Sequence, residues 1–191
     1  VTVLLAERNG GKGSAIRRGL AAATGTIIAI QDADLELDPQ QIAALVQPIL
    51  DGRAVVVYGS RFLAGRPPAP WLSIVANKTL TTLTNILYGG AITDMETCYK
   101  IMQGDVARGL VLTADRFDIE PEITVKLLKR RARVIELPVE FSPRSKAAGK
   151  KIRWHDGLEA MQTLIKYRLA PLASFAKKVL PDEARTAPAR R

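Results

Sequence analysis

Short unbroken apolar runs alternate along the chain with longer stretches in which apolar residues recur every three or four positions. That alternation predicts an α/β fold. Val1–Ala6 and Ile27–Gln31 read as strands. Between them lie the loop Asn9-Gly10-Gly11-Lys12-Gly13 and a helix from an N-cap at Ser14 to about Thr24, closed by Gly25. Pro39 stands at a first helical position, and its helix runs to about Leu50. A third strand, Ala54–Tyr58, ends in Gly59-Ser60-Arg61. The β-α-β-α-β order predicts a mostly parallel sheet with right-handed crossovers, flanked by helices.

Beyond the loop from Gly65 to Pro70, Trp71–Tyr88 reads as a helix with Leu72, Val75, Thr79, Leu80, Leu83 and Leu87 on one stripe. Tyr99–Met102 and Val134–Phe141 read as strands, and Asp105–Leu112 and Pro121–Arg131 as helices. Ser142–Lys151 is a basic loop. Trp154–Leu169 and Leu172–Leu180 are amphipathic, the first with Leu158, Met161, Ile165 and Leu169 on one side. These patterns divide the chain into a domain over 1–153, amphipathic helices over 154–180 and a polar tail over 181–191, which is expected to be disordered.

Composition narrows the chemistry. With 47% apolar residues among 191, the chain can build a core. One cysteine (Cys98) and one histidine (His155) exclude a disulfide framework and a zinc site built from several Cys or His. A bound metal would take oxygen ligands, which points to Mg²⁺ or Mn²⁺. The net charge is +9, and Arg144–Arg191 holds twelve Lys/Arg against four Asp/Glu. That basic end suits an anionic partner, and the scarcity of interleaved aromatics argues against nucleic acid. No stretch reaches the ~18 apolar residues of a membrane-crossing helix.

The candidate chemistry gathers around Asp32-Ala33-Asp34-Leu35, directly after the second strand. Two carboxylates two residues apart at the carboxyl end of a strand can converge on one hard cation. Ligands of open α/β sheets bind at that end, and such a cation keeps room for substrate phosphates. A metal–diphosphate site is the expectation; an acidic loop capping the next helix is the plainer alternative. Lys12 sits in a glycine-rich loop that lacks the Gly-Lys-Ser/Thr of a nucleotide-triphosphate loop, yet it would place a cation near a diphosphate. Arg61 is expected on the same sheet edge. Asp94 and Glu96 lie in a loop before a short strand, and Cys98 reads as a small core residue. Acids from Asp118 to Glu122 suit a helix start. Arg144, Lys146 and Lys150 belong to a basic loop that could close over an anion.

In order, the motifs N-x-G-K-G, D-A-D-L-E-x-D-P, G-S-R-F, T-D-M-E-T-C-Y-K, F-D-I-E-P-E-I and P-R-S resemble those of family 2 glycosyltransferases of the GT-A fold. Within them the chain is most similar to the dolichyl-phosphate mannose synthase and polyprenyl-phosphate glycosyltransferase group, over residues 1–160 or so. The resemblance implies a Rossmann-like GT-A sheet. It implies Mg²⁺ or Mn²⁺ on a nucleotide-sugar diphosphate held by Asp32 and Asp34, with Glu36 as a third ligand. It implies acceptor-phosphate binding by Arg61 and Arg144, with Lys146 or Lys150, and a sugar and acceptor site lined by Asp94 and Glu96. The family's usual opening P-x-Y-N-E strand and D-D-G-S acids are absent, so Val1–Ala6 matches what is usually the third strand and an N-terminally truncated domain is expected.

The implied reaction is inverting, metal-dependent transfer of a hexose from a nucleotide sugar to a polyprenyl phosphate, at the cytoplasmic face of a membrane. A phosphate nucleophile needs no strong base; a hydroxyl acceptor would need one, with Asp94 as candidate. Two other readings stay open: a same-fold transferase to a sugar hydroxyl, and a non-catalytic basic module on a membrane. The segment from Trp154 to Leu180 either lies on the bilayer surface or packs on the domain.

Overall fold

The computed structural model describes residues 1–144 and 154–171. The element order is α1 (Gly11–Ala22), β1 (Ile27–Ala29), a single 3₁₀ turn (Pro39–Gln41), α2 (Ile42–Leu50), β2 (Val56–Ser60), α3 (Trp71–Tyr88), β3 (Lys100–Gln103), α4 (Gly104–Arg108), α5 (Ile119–Lys129), β4 (Val134–Pro138) and α6 (Trp154–Leu169). The α/β class is as expected. The four strands form one sheet in the order β1-β3-β2-β4.

β2 pairs parallel to β4, while β3 lies antiparallel between β1 and β2. Three of the four strands therefore point one way. The excursion through α3 brings the chain back at the edge where β2 ended, so β3 runs through the gap in the opposite direction. This topology collects the carboxyl ends of β1, β2 and β4 and the start of β3 on one edge, where ligands of such sheets bind.

β2 is buried at every position, with Val56, Val57 and Tyr58 wholly inaccessible. That is why it reads as a continuous apolar run and not as an alternation. α2 covers the sheet with Leu45 and Ile49, and α5 contributes Ile119, Ile123 and Leu127 to the same core. A second apolar cluster, Leu80, Met95, Val125, Leu164 and Tyr167, joins α3, α5 and α6.

Several expectations are corrected. Val1–Ala6 is not a strand: a strand needs a paired neighbour, and none lies beside it among the described residues. Helix α1 starts at Gly11 with Gly10 as its cap, so Ser14 is inside it. In α3 the apolar stripe is split, with Leu80 buried but Leu72 and Val75 64% and 50% exposed. In α6 the buried side chains among those described are Ala160, Thr163, Leu164 and Tyr167, whereas Leu158, Ile165 and Leu169 are exposed. Helix α6 thus packs on the domain along one face. Among the described residues no helix is long and apolar enough to cross a membrane. The Leu172–Leu180 helix, the tail, and Lys146 and Lys150 lie outside the described residues.

Candidate active site

The glycine-rich loop serves close packing. A Cβ on Gly13 would sit 2.3 Å from the Ala114 carbonyl oxygen, and one on Gly11, at φ +88°, 2.4 Å from that of Asp115. Ser14 N–H donates to the Asp115 oxygen at 3.1 Å. Only a side-chain-free backbone lets α1 seat this tightly, and the seat aims Lys12 at the sheet edge. Lys12 Nζ lies 2.7 Å from Asp32 Oδ2 and 2.6 Å from Glu120 Oε1.

Behind it, Lys100 is fully buried; its ammonium pairs with Glu120 Oε2 and donates to the carbonyls of Met95 at 3.0 Å and Thr97 at 2.5 Å. An ion chain therefore runs from the core to the acidic loop: Lys100, Glu120, Lys12, Asp32. Burial alone would lower the Lys12 pKa, but the carboxylates of Glu120 and Asp32 outweigh it and raise it. Burial would raise that of Glu120, but Lys100 and Lys12 hold it below its ordinary range.

The acidic loop is pinned at its base. Cys98 Sγ accepts Asp32 N–H at 3.2 Å, and Tyr99 O–H donates to Gln31 Oε1 and to the Asp38 carbonyl. Burial pushes the Cys98 thiol up to about 12, so it is a small packed acceptor and not a nucleophile. Leu35 adopts a left-handed φ of 61°, uncommon for leucine. That turn lets Glu36 N–H reach Asp34 Oδ1 at 3.1 Å and brings both acids to one guanidinium. Arg144 Nη2 is 3.0 Å from Asp34, its Nε 3.5 Å from Glu36, and its N–H donates to Glu36 Oε1 at 3.0 Å.

Arg61 and Asp94, expected as phosphate ligand and base, are paired with each other. Arg61 Nε and Nη2 contact the two Asp94 oxygens at 2.7 and 2.8 Å, its backbone N–H donates to Oδ2 at 3.1 Å, and Asn77 of α3 adds a fourth bond at 3.0 Å. Burial would raise the Asp94 pKa, but Arg61 lowers it, which makes Asp94 a poor proton acceptor. Glu136 of β4 accepts the N–H groups of Thr93 and Asp94 at 2.7 and 3.1 Å, orienting this loop.

Glu96 stands differently. Its Oε1 is sheltered without a hydrogen-bond partner, and burial with the nearby Glu120 charge raises its pKa to about 7. A raised glutamate binds a proton more tightly folded than unfolded. Its stabilisation is present at low pH and is lost as pH climbs from the ordinary glutamate range through about 7. Thermal melts of wild type and Glu96→Gln across that window are expected to show the variant losing this component of the decline. Matching slopes would refute the shift.

Among the described residues, no group of three or more His, Cys, Asp or Glu is arranged to hold a metal, so Asp32, Asp34 and Glu36 do not form a closed three-ligand cluster. Asp32 and Asp34 still offer hard oxygens on the ligand-binding edge, each partly exposed and matched by a cation. Two carboxylates sharing an ion with a diphosphate is an arrangement that Mg²⁺ or Mn²⁺ accepts, so these two residues fit the ion. Lys100, Glu120 and Glu136 were missed as site residues by sequence reasoning. The first two stand within quoted motifs, but helix-dipole logic explained Glu120 away, and nothing local marks Lys100 or Glu136.

The family model described as glycosyl transferase family 2 matches residues 1–109. Dolichol-phosphate mannosyltransferase of Pyrococcus furiosus is 27% identical over 157 residues, covering 78% of this chain and 43% of that protein. Glycosyltransferase AglJ of Haloferax volcanii is 24% identical over 143 residues, 74% of this chain and 47% of that protein. The chain thus spans less than half the length of either relative. Among solved structures, glucosyl-3-phosphoglycerate synthase of Mycobacterium tuberculosis with UDP superposes with a TM-score of 0.64 at 19% identity, over 84% of this chain and 56% of that one. The same synthase with Mn²⁺, UDP-glucose and glycerol 3-phosphate gives 0.59 at 20% identity, over the same shares. With a family model covering more than half of its length and an acidic strand-end loop at the sheet edge, the chain belongs to glycosyl transferase family 2.

Proposed function

We propose that this chain carries the diphosphate and acceptor side of an enzyme that moves a hexose from a nucleotide-diphosphate sugar to a polyprenyl phosphate, with inversion. One observation carries the reading: the acidic loop after β1 is bracketed by Lys12 on one flank and Arg144 on the other, on the edge that also holds Arg61 and Asp94. The mannosyltransferase relative supports the lipid-phosphate acceptor, and the synthase complex with Mn²⁺ and UDP-glucose supports the donor and the ion.

The two flanks differ in rigidity. Lys12 is 16% exposed and anchored on buried Glu120, so its ammonium stands as a preorganised positive charge beside the leaving diphosphate. Arg144 is 37% exposed, and its pairs with Asp34 and Glu36 are worth little in water. It can therefore release those acids and turn to an arriving phosphate. A divalent ion held by Asp32 and Asp34 would supply further charge stabilisation to the leaving group. Arg61, fixed by Asp94, adds positive charge on the acceptor side.

Glu96 favours a second reading, transfer to a hydroxyl, because a carboxylate titrating near neutrality suits a general base. The test supplies a full-length protein containing this segment with polyprenyl phosphate and hydroxyl acceptors side by side. The lipid-phosphate reading expects turnover on the former, largely retained by Glu96→Gln. Turnover only on hydroxyls, abolished by Glu96→Gln, would replace it with the second.

A further inference from the structure

Helix α3 packs one side, with Leu80, Leu83 and Leu87, on the domain and turns a second apolar side outward. Its buried positions are Leu80, Thr81 and Thr84, while Trp71, Leu72, Val75 and Ile86 are 62%, 64%, 50% and 75% exposed. At helical spacing those four, with exposed Thr79 and Thr82, fall within an arc of about 100°. The arc runs the length of the 18-residue helix and contains no charged residue. Lys78, the helix's sole charge, stands at its margin with Nζ 3.9 Å from the Phe62 ring centroid. Leu63, 46% exposed, and Arg66 lie in the loop that leads into α3. Between Arg61 and Thr93 there are three basic residues and no acidic one.

We propose that this face of α3, together with Leu63 and Arg66, seats the protein on an anionic lipid surface. An uncharged apolar stripe with a terminal tryptophan and flanking cations is the pattern of a helix lying in the membrane interface. The helix is not apolar enough to cross the bilayer, so it lies on it. A second copy fits less well. A twofold contact would bring Arg66 and Lys78 of both copies together, with no acid between residues 61 and 93 to pair with them. The seat is coupled to the site, because Asn77 of the same helix holds Asp94, which holds Arg61. Lipid contact would thus fix the acceptor side of the sheet edge against the membrane. The inference deepens, and for its purpose rests on, the lipid-acceptor reading, but its test uses neither donor nor acceptor.

The test is flotation of the full-length protein with phosphatidylcholine vesicles, with and without phosphatidylserine. Wild type is expected to float with the anionic vesicles. Trp71→Ser/Leu72→Ser/Val75→Ser, confined to exposed positions and checked for an unchanged melting temperature, should bind at least tenfold more weakly. Arg66→Glu/Lys78→Glu should abolish the preference for phosphatidylserine. In a Trp154→Phe background, which leaves Trp71 as the remaining tryptophan of this segment, brominated lipids should quench its fluorescence. Equal flotation of the triple variant, or Trp71 left unquenched, would overturn the proposal. So would a vesicle-free dimer that the triple variant dissociates, without any flotation. Transfer assays on soluble short-chain acceptors would still judge the acceptor reading separately.

Discussion

Asp34→Asn is expected to lower sugar transfer by the full-length protein about 10²–10³-fold while leaving its melting temperature nearly unchanged. The amide keeps an oxygen that can accept Glu36 N–H, so the left-handed turn at Leu35 survives. What is lost is one negative charge at the end of β1. The pair it makes with Arg144 is more than a third exposed on the arginine side, so its stability contribution is small. A fall in turnover without a fall in stability therefore isolates the charge. The decline should be steepest at low divalent-ion concentration and partly recovered at high concentration. Steady-state rates against Mg²⁺ or Mn²⁺ measure it, and turnover equal to wild type at all concentrations would remove Asp34 from the site.

Glu120→Ala carries the largest expected effect on folding, a loss of about 3–5 kcal/mol in urea unfolding. Glu120 is almost wholly buried between the ammonium groups of Lys12 and Lys100, and Lys100 has no exposure at all. Removing the carboxylate leaves Lys100 with two carbonyl oxygens and the face of the Tyr58 ring, a buried charge without its counter-ion. Because Lys100 and Lys12 hold the Glu120 pKa below its ordinary range, its stabilisation is complete at neutral pH. It is lost as pH falls below that range. Replacing both partners, as Lys100→Met with Glu120→Leu, should restore much of the stability, since a buried pair often exchanges for apolar residues at little cost. Transfer should not return, because Lys12 would still lack its anchor. Recovery of both stability and transfer would show that the ion chain does not position Lys12.

Much of this site was legible because its signals are local. The apolar run before Asp32 marks a buried strand, and acids right after a strand fall on the binding edge whatever the remaining topology. Pro39 was readable as a helical start for the same reason, although it opens a 3₁₀ turn and α2 itself begins at Ile42. What escaped depends on partners distant in sequence. The reversal of β3 follows from a chain excursion, not from any property of Lys100–Gln103. Glu120 looks like an ordinary helix-start acid until Lys12 and Lys100 are brought to it across 108 and 20 positions. Arg61 and Asp94 carry charges that periodicity cannot pair, so a base and a phosphate ligand were expected where an ion pair stands. In α3 and α6 the helices were correctly seen but the buried face was not: periodicity finds apolar positions without saying which of them a neighbour covers, so Leu72, Val75, Leu158, Ile165 and Leu169 were placed on stripes that the fold leaves exposed. Thr81 and Thr84 go inward because their hydroxyls find Asn77 and the Leu80 carbonyl.

The central claim is that Asp32 and Asp34 form a metal-dependent diphosphate site. It is tested most directly by titrating the full-length protein with Mn²⁺, followed by electron paramagnetic resonance, in the presence of each nucleoside diphosphate in turn. The account predicts that one of them tightens Mn²⁺ binding at least tenfold, and that Asp32→Asn and Asp34→Asn each abolish the gain. Mn²⁺ binding of equal strength in wild type and both variants, unaffected by every nucleotide, would contradict it.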